Sequence, residues 1–206
     1  MDHPRTVLDF WFGREPMTPA LMAAKMPGWF GNDDAGARAA RDAAIVAQFA
    51  VLAARAAAGA LDAWADSPRQ RLALILLLDQ FPRHIHRGTA RAFATDERAA
   101  ALTLDGMQKA ADATLDPAGR MFFYMPLQHS ELPEVQEESV AAFRRLREES
   151  PEAWREVLAG PLDFAERHRE IVRRFGRFPH RNAILGRPST PAEIAWLDAG
   201  GERFGS

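Results

Sequence analysis

Apolar residues recur at helical spacing along most of the chain, and alternating patterns typical of strands are hard to find. In residues 131–149, for example, Val135, Ala142, Phe143 and Leu146 fall on one helical face. Patterns of this kind fill most of the sequence between short polar connections. They predict roughly eight to ten helices joined by short loops, and therefore an all-α protein.

Most predicted helix starts carry a capping residue followed directly by proline. The side chain of Ser, Thr or Asp accepts a hydrogen bond from a free N–H of the first turn, where proline gives up a donor that has no partner. Such pairs are Thr18-Pro19, Ser67-Pro68, Asp116-Pro117, Ser150-Pro151 and Thr190-Pro191. Glu193 completes a capping box with Thr190, and Asn32 marks a further start.

The helices with the clearest patterns differ in how much apolar surface they carry. Residues 68–80 are apolar nearly all round, so this helix is expected at the centre of the fold. Gly59 and Gly176 are expected to end two others. The strongest patterns cover residues 38–58, 68–80, 96–111, 131–149 and 161–175, of which the last is also expected to pack centrally.

The composition favours a soluble globular protein with one domain over residues 1–206. The apolar fraction is 47% and the charged fraction 26%, which are ordinary values for such proteins. The absence of cysteine excludes disulfides, thiolate metal sites and cysteine nucleophiles. The N-terminus has no secretory signal and the longest apolar run, LALILLL at 72–78, is far too short to span a bilayer. We expect a cytoplasmic protein.

Two basic stretches stand out against a net charge of −2. Residues 174–187, RFGRFPHRNAILGR, contain four arginines and no acid, and residues 80–96, QFPRHIHRGTARAFATD, place three arginines before their first acid. In both, a Phe-Pro pair would anchor the chain on the core and fix the basic side chains near the surface. The overall charge disfavours nucleic-acid binding.

Arginine forks held beside apolar anchors are suited to a carboxylate or a phosphate. We therefore interpret Arg83, Arg177 and Arg181 as charge clamps of an anion site. His129, His180 and Asn182 would orient the ligand, and Glu131 or Gln136 would fix the arginines. The alternatives are a solvated basic face, or pairing of the arginines with the acids of residues 131–152.

Metal binding and acid–base catalysis were the competing chemical interpretations. His84 and His86 stand two residues apart, and His129 lies near Glu131, but no H-E-x-x-H motif occurs and the dense arginines would repel a cation. We predict no metal and no cofactor. Histidine titrates near neutral pH, so His129 or His180 is a candidate general acid or base. His168 lies on the apolar side of its helix, either as a core residue or as part of the site.

Several motifs in this chain resemble the family known as domain of unknown function 924. They are VLDFWFG at 7–13, LLLDQFPR at 76–83, GTARAFATD at 88–96, FFYMPLQHSE at 122–131 and FAERHREIVRRFGRFPHRNAILGRPST at 164–190. The resemblance implies stacked antiparallel helix hairpins in a right-handed array like that of tetratricopeptide repeats, and no established activity. The chain departs from the family pattern at His84 and His86, where asparagine and an aromatic residue are expected, and at Leu132, where an acid is commoner.

The residues and the resemblance together lead to three functional hypotheses. The first is binding of an anionic small molecule or a peptide carboxylate, without nucleic-acid or membrane partners. The second is an enzyme, such as a hydrolase, that uses a His/Glu acid–base pair in the same pocket. The third is a protein-interaction scaffold, by analogy of fold alone. The oligomeric state is left open. The predicted ligand-binding residues are Arg83, Arg87, His129, Glu131, His168, Arg177, His180, Arg181 and Asn182.

Overall fold

The computed structural model describes residues 3–30 and 34–204. Within those ranges the chain forms α-helices and short 3-10 turns and no β-strand, which confirms the all-α prediction. The α-helices, in chain order, are α1 (Pro4–Phe12), α2 (Pro19–Phe30), α3 (Ala35–Ala57), α4 (Pro68–Leu78), α5 (Gln80–Ile85), α6 (Asp96–Gln108), α7 (Pro117–Gln128), α8 (Pro133–Glu149), α9 (Glu152–Arg155), α10 (Ala159–Phe175) and α11 (Pro191–Asp198).

The helix starts follow the capping chemistry of the sequence. Helices α2, α4, α7 and α11 begin at the proline of their capping pair, and α9 begins one residue after its own. The Asp116 carboxylate accepts a hydrogen bond from the Gly119 N–H at 2.7 Å. Thr190 and Glu193 form the complete capping box. Asn32 lies outside the described residues.

Helix α4 is the centre of the fold, as its apolar surface predicts. Residues 72–78 are all buried, and the helix packs against α1, α3, α6 and α7. It is shorter than expected because it ends at Leu78, and the chain continues after Asp79 as the short helix α5. The Phe81-Pro82 pair therefore lies inside the first turn of α5 rather than in a loop.

Helix α10 lies at one side of the core, so the prediction that residues 161–175 pack centrally is wrong. Its buried face contacts α8 and α7, while Glu170, Arg173 and Arg174 on the other side are exposed. The helix ends as predicted, because Gly176 adopts the left-handed conformation at φ 70° that favours glycine.

The buried apolar residues separate into two clusters. The larger one runs from Val7 on α1 to Ala165 on α10 and contains all of residues 72–78. The smaller one, which we call the C-terminal cluster, consists of Ile171, Val172 and Phe178 together with Phe175, Trp196 and Phe204. Polar side chains fill the boundary between the two clusters, and they include most of the predicted site residues.

Successive helices α6, α7, α8 and α10 pack against one another in chain order. The right-handed array of tetratricopeptide-like hairpins remains a prediction. Among the helices of residues 3–30 and 34–204, none combines the length and the apolar character needed to cross a membrane.

Candidate functional site

The candidate site begins at the break between α4 and α5. Pro82 has no N–H to donate to the Leu78 carbonyl one turn earlier, so the α4 hydrogen-bond ladder cannot continue. The Thr95 hydroxyl donates to that carbonyl instead. The break turns Asp79 inward, where its side chain is fully buried. The proline of the first Phe-Pro pair along the chain, which follows the predicted helix 68–80, therefore positions a buried carboxylate.

His129 contacts this carboxylate from the end of α7. Its Nδ1 lies 2.6 Å from Asp79 Oδ1, and the Gln80 amide donates to the other oxygen of Asp79 at 2.5 Å. Because the carboxylate accepts, Nδ1 carries the proton, and Nε2 of the neutral ring is left as an acceptor. In the described parts of the chain Nε2 has no hydrogen-bond partner. The pair is therefore a histidine oriented by a buried acid.

Asp96 joins two guanidinium groups from distant segments. Arg83 donates to both of its oxygens, at 2.9 and 3.0 Å, and also to the Asp79 carbonyl at 2.6 Å. Arg181 donates through Nη1 to Asp96 Oδ2 at 3.2 Å and to the His129 carbonyl at 3.1 Å. The two carboxylates and the two guanidinium groups balance in charge. We call Asp79, Arg83, Asp96 and Arg181 the ion-pair cluster.

The Arg181 guanidinium is held between two aromatic rings. Its Cζ lies 4.6 Å from the ring centroid of Phe93 and 4.6 Å from that of Phe178, distances that allow cation–π attraction. The residue is only 7% exposed. Burial lowers the pKa of Arg181 to about 10, although Asp96 opposes the shift. Arg181 therefore remains charged at neutral pH.

Two buried nitrogen atoms of this region have no partner within residues 3–30 and 34–204: Nε of Arg181 and Nδ1 of His180. Buried polar atoms in native proteins are nearly always paired with protein groups or ordered solvent. The two residues are adjacent in sequence and both contact the Phe178 ring. Two buried nitrogen atoms with unused hydrogen-bonding capacity thus lie beside Phe178.

His168 lies on the other side of Phe178. Its Nδ1 donates to the Phe164 carbonyl at 2.7 Å, which is the single hydrogen bond expected of a core histidine. Its ring also contacts those of His129, Phe178 and Phe204. His168 is therefore a buried residue that lies beside His129, and its role in binding a ligand stays a prediction.

All three histidines of the site are held in their neutral form. Burial lowers the pKa of His168 well below its usual value. Burial, followed by the charge of Arg181, lowers the pKa of His180 to about 3. Burial and then Arg83 lower the pKa of His129, against the opposing influence of Asp79. Burial opposes ionisation of Asp79, but Arg83 and His129 outweigh it and hold the pKa of that carboxyl below its usual range.

A second set of polar contacts fixes the loop that carries His180 and Arg181. Glu131 accepts two hydrogen bonds from Arg187, at 2.6 and 2.9 Å, and one from the Phe178 N–H at 2.7 Å. Arg177 pairs with Glu193 at 2.7 and 2.9 Å. The side chain of Asn182, fully buried, bonds to Arg187, Ser189 and Glu193. These groups tie the loop to the connection between α7 and α8 and to α11.

The predicted site residues therefore divide into three groups. Arg83, His129, His168, His180 and Arg181 converge, as expected from the two Phe-Pro segments. Glu131, Arg177 and Asn182 make the loop contacts described above. Arg87 lies apart, because it pairs with Asp42 on α3 at 2.7 Å, beside His84.

The paired histidines of the sequence do not form a metal site among the described residues. His84 Nδ1 lies 2.7 Å from Asp42, away from the ion-pair cluster. In the part of the chain that the structure describes, no group of three or more His, Asp or Glu side chains is arranged to hold a metal ion.

The acids that neutralise the arginines were not among the predicted site residues. Asp79 and Asp96 bracket the first basic stretch, and Asp79 stands four residues before Arg83, a spacing that often produces an ion pair. That spacing was the available signal. Phe93 and Phe204 could not be predicted to belong to the site, because nothing in their local sequence indicates which side chains they approach.

A separate cleft of about 660 Å³ opens near the starts of α1, α4 and α7. Its lining includes Asp9, Arg14, Arg69 and Asp116. None of the predicted site residues borders it.

The described chain is an all-helical protein with a buried, charge-balanced cluster between its two apolar clusters. It belongs to a bacterial protein family of unknown function, DUF924, whose model matches residues 7–201. It is similar to a solved structure of a protein of unknown function from Agrobacterium tumefaciens, with 35% identity and a TM-score of 0.78 over 96% of this chain and 97% of that one. No curated protein matches the chain.

Proposed function

We propose that the protein binds a small anionic ligand, or the carboxylate of a peptide, at Arg181 beside His129. The observation that carries this proposal is the buried Nε of Arg181, which has no hydrogen-bond partner among the described residues. A carboxylate or phosphate oxygen is the group that an arginine fork accommodates best. His180 would supply a further nitrogen from the same loop.

Arg181 is the arginine of the site with donors to spare. The donors of Arg83 are directed at Asp96 and Asp79, and those of Arg187 at Glu131, Asn182 and the Phe178 carbonyl. Arg181 uses only Nη1. A ligand at Arg181 therefore needs no existing ion pair to break, whereas a ligand at Arg83 would compete with two carboxylates.

Binding at this position should also involve His129. The ion-pair cluster is neutral, so an added anion favours a positive charge on the nearest titratable group. His129 is neutral in the free protein because its pKa is lowered. We expect it to take up a proton as the anion enters, so that a carboxylate ligand binds more tightly at pH 6 than at pH 8.

The proposal is tested by replacing two arginines of the same loop. We expect Arg181→Gln to weaken the binding of propionate and of inorganic phosphate by at least about tenfold, since a charged hydrogen bond is worth roughly 1.5–3 kcal/mol. Arg177→Gln is the matched control, because its guanidinium pairs with Glu193, and it should keep the affinity of the unmodified protein. Isothermal titration calorimetry at pH 6 and pH 8 measures both.

Two results would contradict the proposal. One is the absence of propionate and phosphate binding by the unmodified, folded protein. The other is an equal loss of affinity in both variants, which would make the loop arginines structural ties. Circular dichroism and thermal unfolding show whether each variant retains its fold.

A second candidate function rests on the contact between His129 and Asp79. A buried carboxylate that orients a histidine, with Nε2 unpaired, is the arrangement of a general base. In a hydrolase, Nε2 would take the proton of a water molecule that attacks an ester held at Arg181. This function predicts turnover of a p-nitrophenyl ester or phosphate, abolished in His129→Ala although propionate affinity is retained. Binding without turnover leaves the first function alone.

A further inference from the structure

The ring of Phe204 lies flat on the ring of His168. The two centroids are 3.6 Å apart and the planes differ by 13°. The Phe204 ring is also surrounded by His180, Phe164 and Phe178, whose ring centroids lie 5.7, 6.1 and 6.4 Å from its own. We call this space, bordered by His168, Phe164, Phe178 and His180, the aromatic slot.

The segment that delivers Phe204 into the slot is short and irregular. It follows α11 and forms no regular helix. Phe204 itself has φ 46°, a left-handed conformation that costs a residue with a Cβ atom roughly 1–2 kcal/mol. Its side-chain contacts include an ion pair between Glu202 and Arg167, and Arg203 also has a partner. The backbone strain at Phe204 favours its displacement by another ring.

The slot adjoins the proposed anion site. Phe178 forms one wall of the slot, and the Arg181 guanidinium lies on that ring at 4.6 Å. His180 borders the slot and carries the unpartnered Nδ1. A molecule with a planar ring in the slot could therefore present an anionic group to Arg181.

We propose that the aromatic slot is the second half of the ligand site, that the ligand is an aromatic carboxylate or an aryl phosphate, and that Phe204 occupies its place until it binds. This inference rests on the proposed function. Stacking on an imidazole selects flat rings over saturated ones. Two buried neutral histidines on the walls accept such a ring without requiring a charge on it.

The inference is tested with Phe204→Ala and four probes. The probes are phenyl phosphate, inorganic phosphate, benzoate and cyclohexanecarboxylate. If Phe204 occupies the slot in most copies of the protein, the apparent affinity for a ligand is reduced in proportion to the fraction of copies whose slot is open. Removal of the Phe204 ring should therefore tighten the binding of phenyl phosphate and benzoate by about tenfold. Inorganic phosphate should change less than about twofold by the same relation, and cyclohexanecarboxylate should stay weaker than benzoate.

Two further variants complete the design. Glu202→Gln removes the ion pair with Arg167 and leaves the residues of the slot unchanged. It should give a smaller gain in affinity for the aromatic probes. Ile194→Ala is the matched control, since it removes an exposed apolar side chain of α11, and it should change nothing. The ring-proton shifts of His168 in NMR spectra should move downfield in Phe204→Ala, because the stacked ring is lost.

The outcomes separate the two proposals. If phosphate and propionate bind at Arg181 but Phe204→Ala gains no affinity for benzoate or phenyl phosphate, the slot proposal is overturned and the anion site stands. If none of the probes binds to the unmodified protein or to Phe204→Ala, both are overturned. An equal gain for benzoate and cyclohexanecarboxylate would show a general opening rather than an aromatic subsite.

Discussion

The residue that organises the site is Asp79, a fully buried carboxylate. An isolated buried charge would be very unfavourable, and this one is tolerated because Arg83, Gln80 and His129 all contact it. Its position depends on Pro82, which interrupts the α4 ladder three residues later. The absence of a backbone N–H at Pro82 thus places a polar centre in an otherwise apolar region.

His180 should make the stability of the protein depend on pH. Its pKa in the folded state is about 3, whereas an unfolded histidine titrates near 6.5. Because the unfolded chain binds this proton first, stability is present above about pH 6.5 and is lost as the pH falls. His180 alone should lower the free energy of unfolding by about 2 kcal/mol between pH 7 and pH 5.

Urea unfolding of the protein and of His180→Gln at several pH values measures this contribution. The free energy of unfolding of the unmodified protein should fall more steeply below pH 6.5 than that of the variant. Parallel curves would show that His180 is protonated at the same pH in both states.

At the scale of elements, close helix contacts depend on small residues. Gly106 of α6 is such a residue, since an added Cβ would lie 2.5 Å from Cζ of Phe123 on α7 and 2.8 Å from Cδ of Arg71 on α4. Arg71 is itself buried and donates to Asp105 at 2.7 Å. Three helices therefore meet at one glycine.

Replacement of Gly106 by alanine should destabilise the protein by about 1–3 kcal/mol through overpacking. Gly160→Ala is the matched control, because no atom lies within 4 Å of the added Cβ and alanine is the better helix former. That variant should be neutral or slightly stabilised. Equal unfolding midpoints in guanidinium chloride for the two variants would show that α6 can shift without cost.

The elements could be predicted because their determinants are local. A capping residue with proline starts α2, α4, α7 and α11, and the continuous apolar run of α4 requires burial. The break at Asp79 was missed because the leucines before it favour a helix and Pro82 lies beyond the predicted helix 68–80. The lateral position of α10 was missed because an amphipathic face indicates burial on one side without naming the partner.

At the scale of the whole molecule, the site lies between two apolar clusters that contact each other through polar groups. Glu131 is one such connection, because it binds both Arg187 and the Phe178 N–H. Convergence of the Phe-Pro segments was predictable from their composition. The pairing of Asp96 with Arg181 was not, because the two residues are 85 positions apart and no local pattern records such a partner.

Glu131→Ala should loosen the C-terminal cluster and leave the main core intact. The Phe178 amide loses its acceptor, so its hydrogen exchange should accelerate by at least about tenfold, which corresponds to the roughly 1–3 kcal/mol of an unmet buried hydrogen bond. Amides of α4 should be unaffected, because stability is distributed unevenly over a structure.

Glu137→Ala is the control for this experiment, since Glu137 is a nearby exposed carboxylate on α8 that pairs with Arg169. NMR-detected exchange of both variants makes the comparison. Equal acceleration in α4 and in residues 176–198 would show that the protein opens as one unit, against the separation into two clusters.

The sharing of Asp96 by Arg83 and Arg181 has a consequence for evolution. Loss of any one of these charges leaves the buried cluster with one uncompensated charge. Single changes should therefore be eliminated by selection, while paired changes persist. Among relatives, a neutral residue at the position of Asp96 is therefore expected to coincide with loss of an arginine at the position of Arg83 or Arg181.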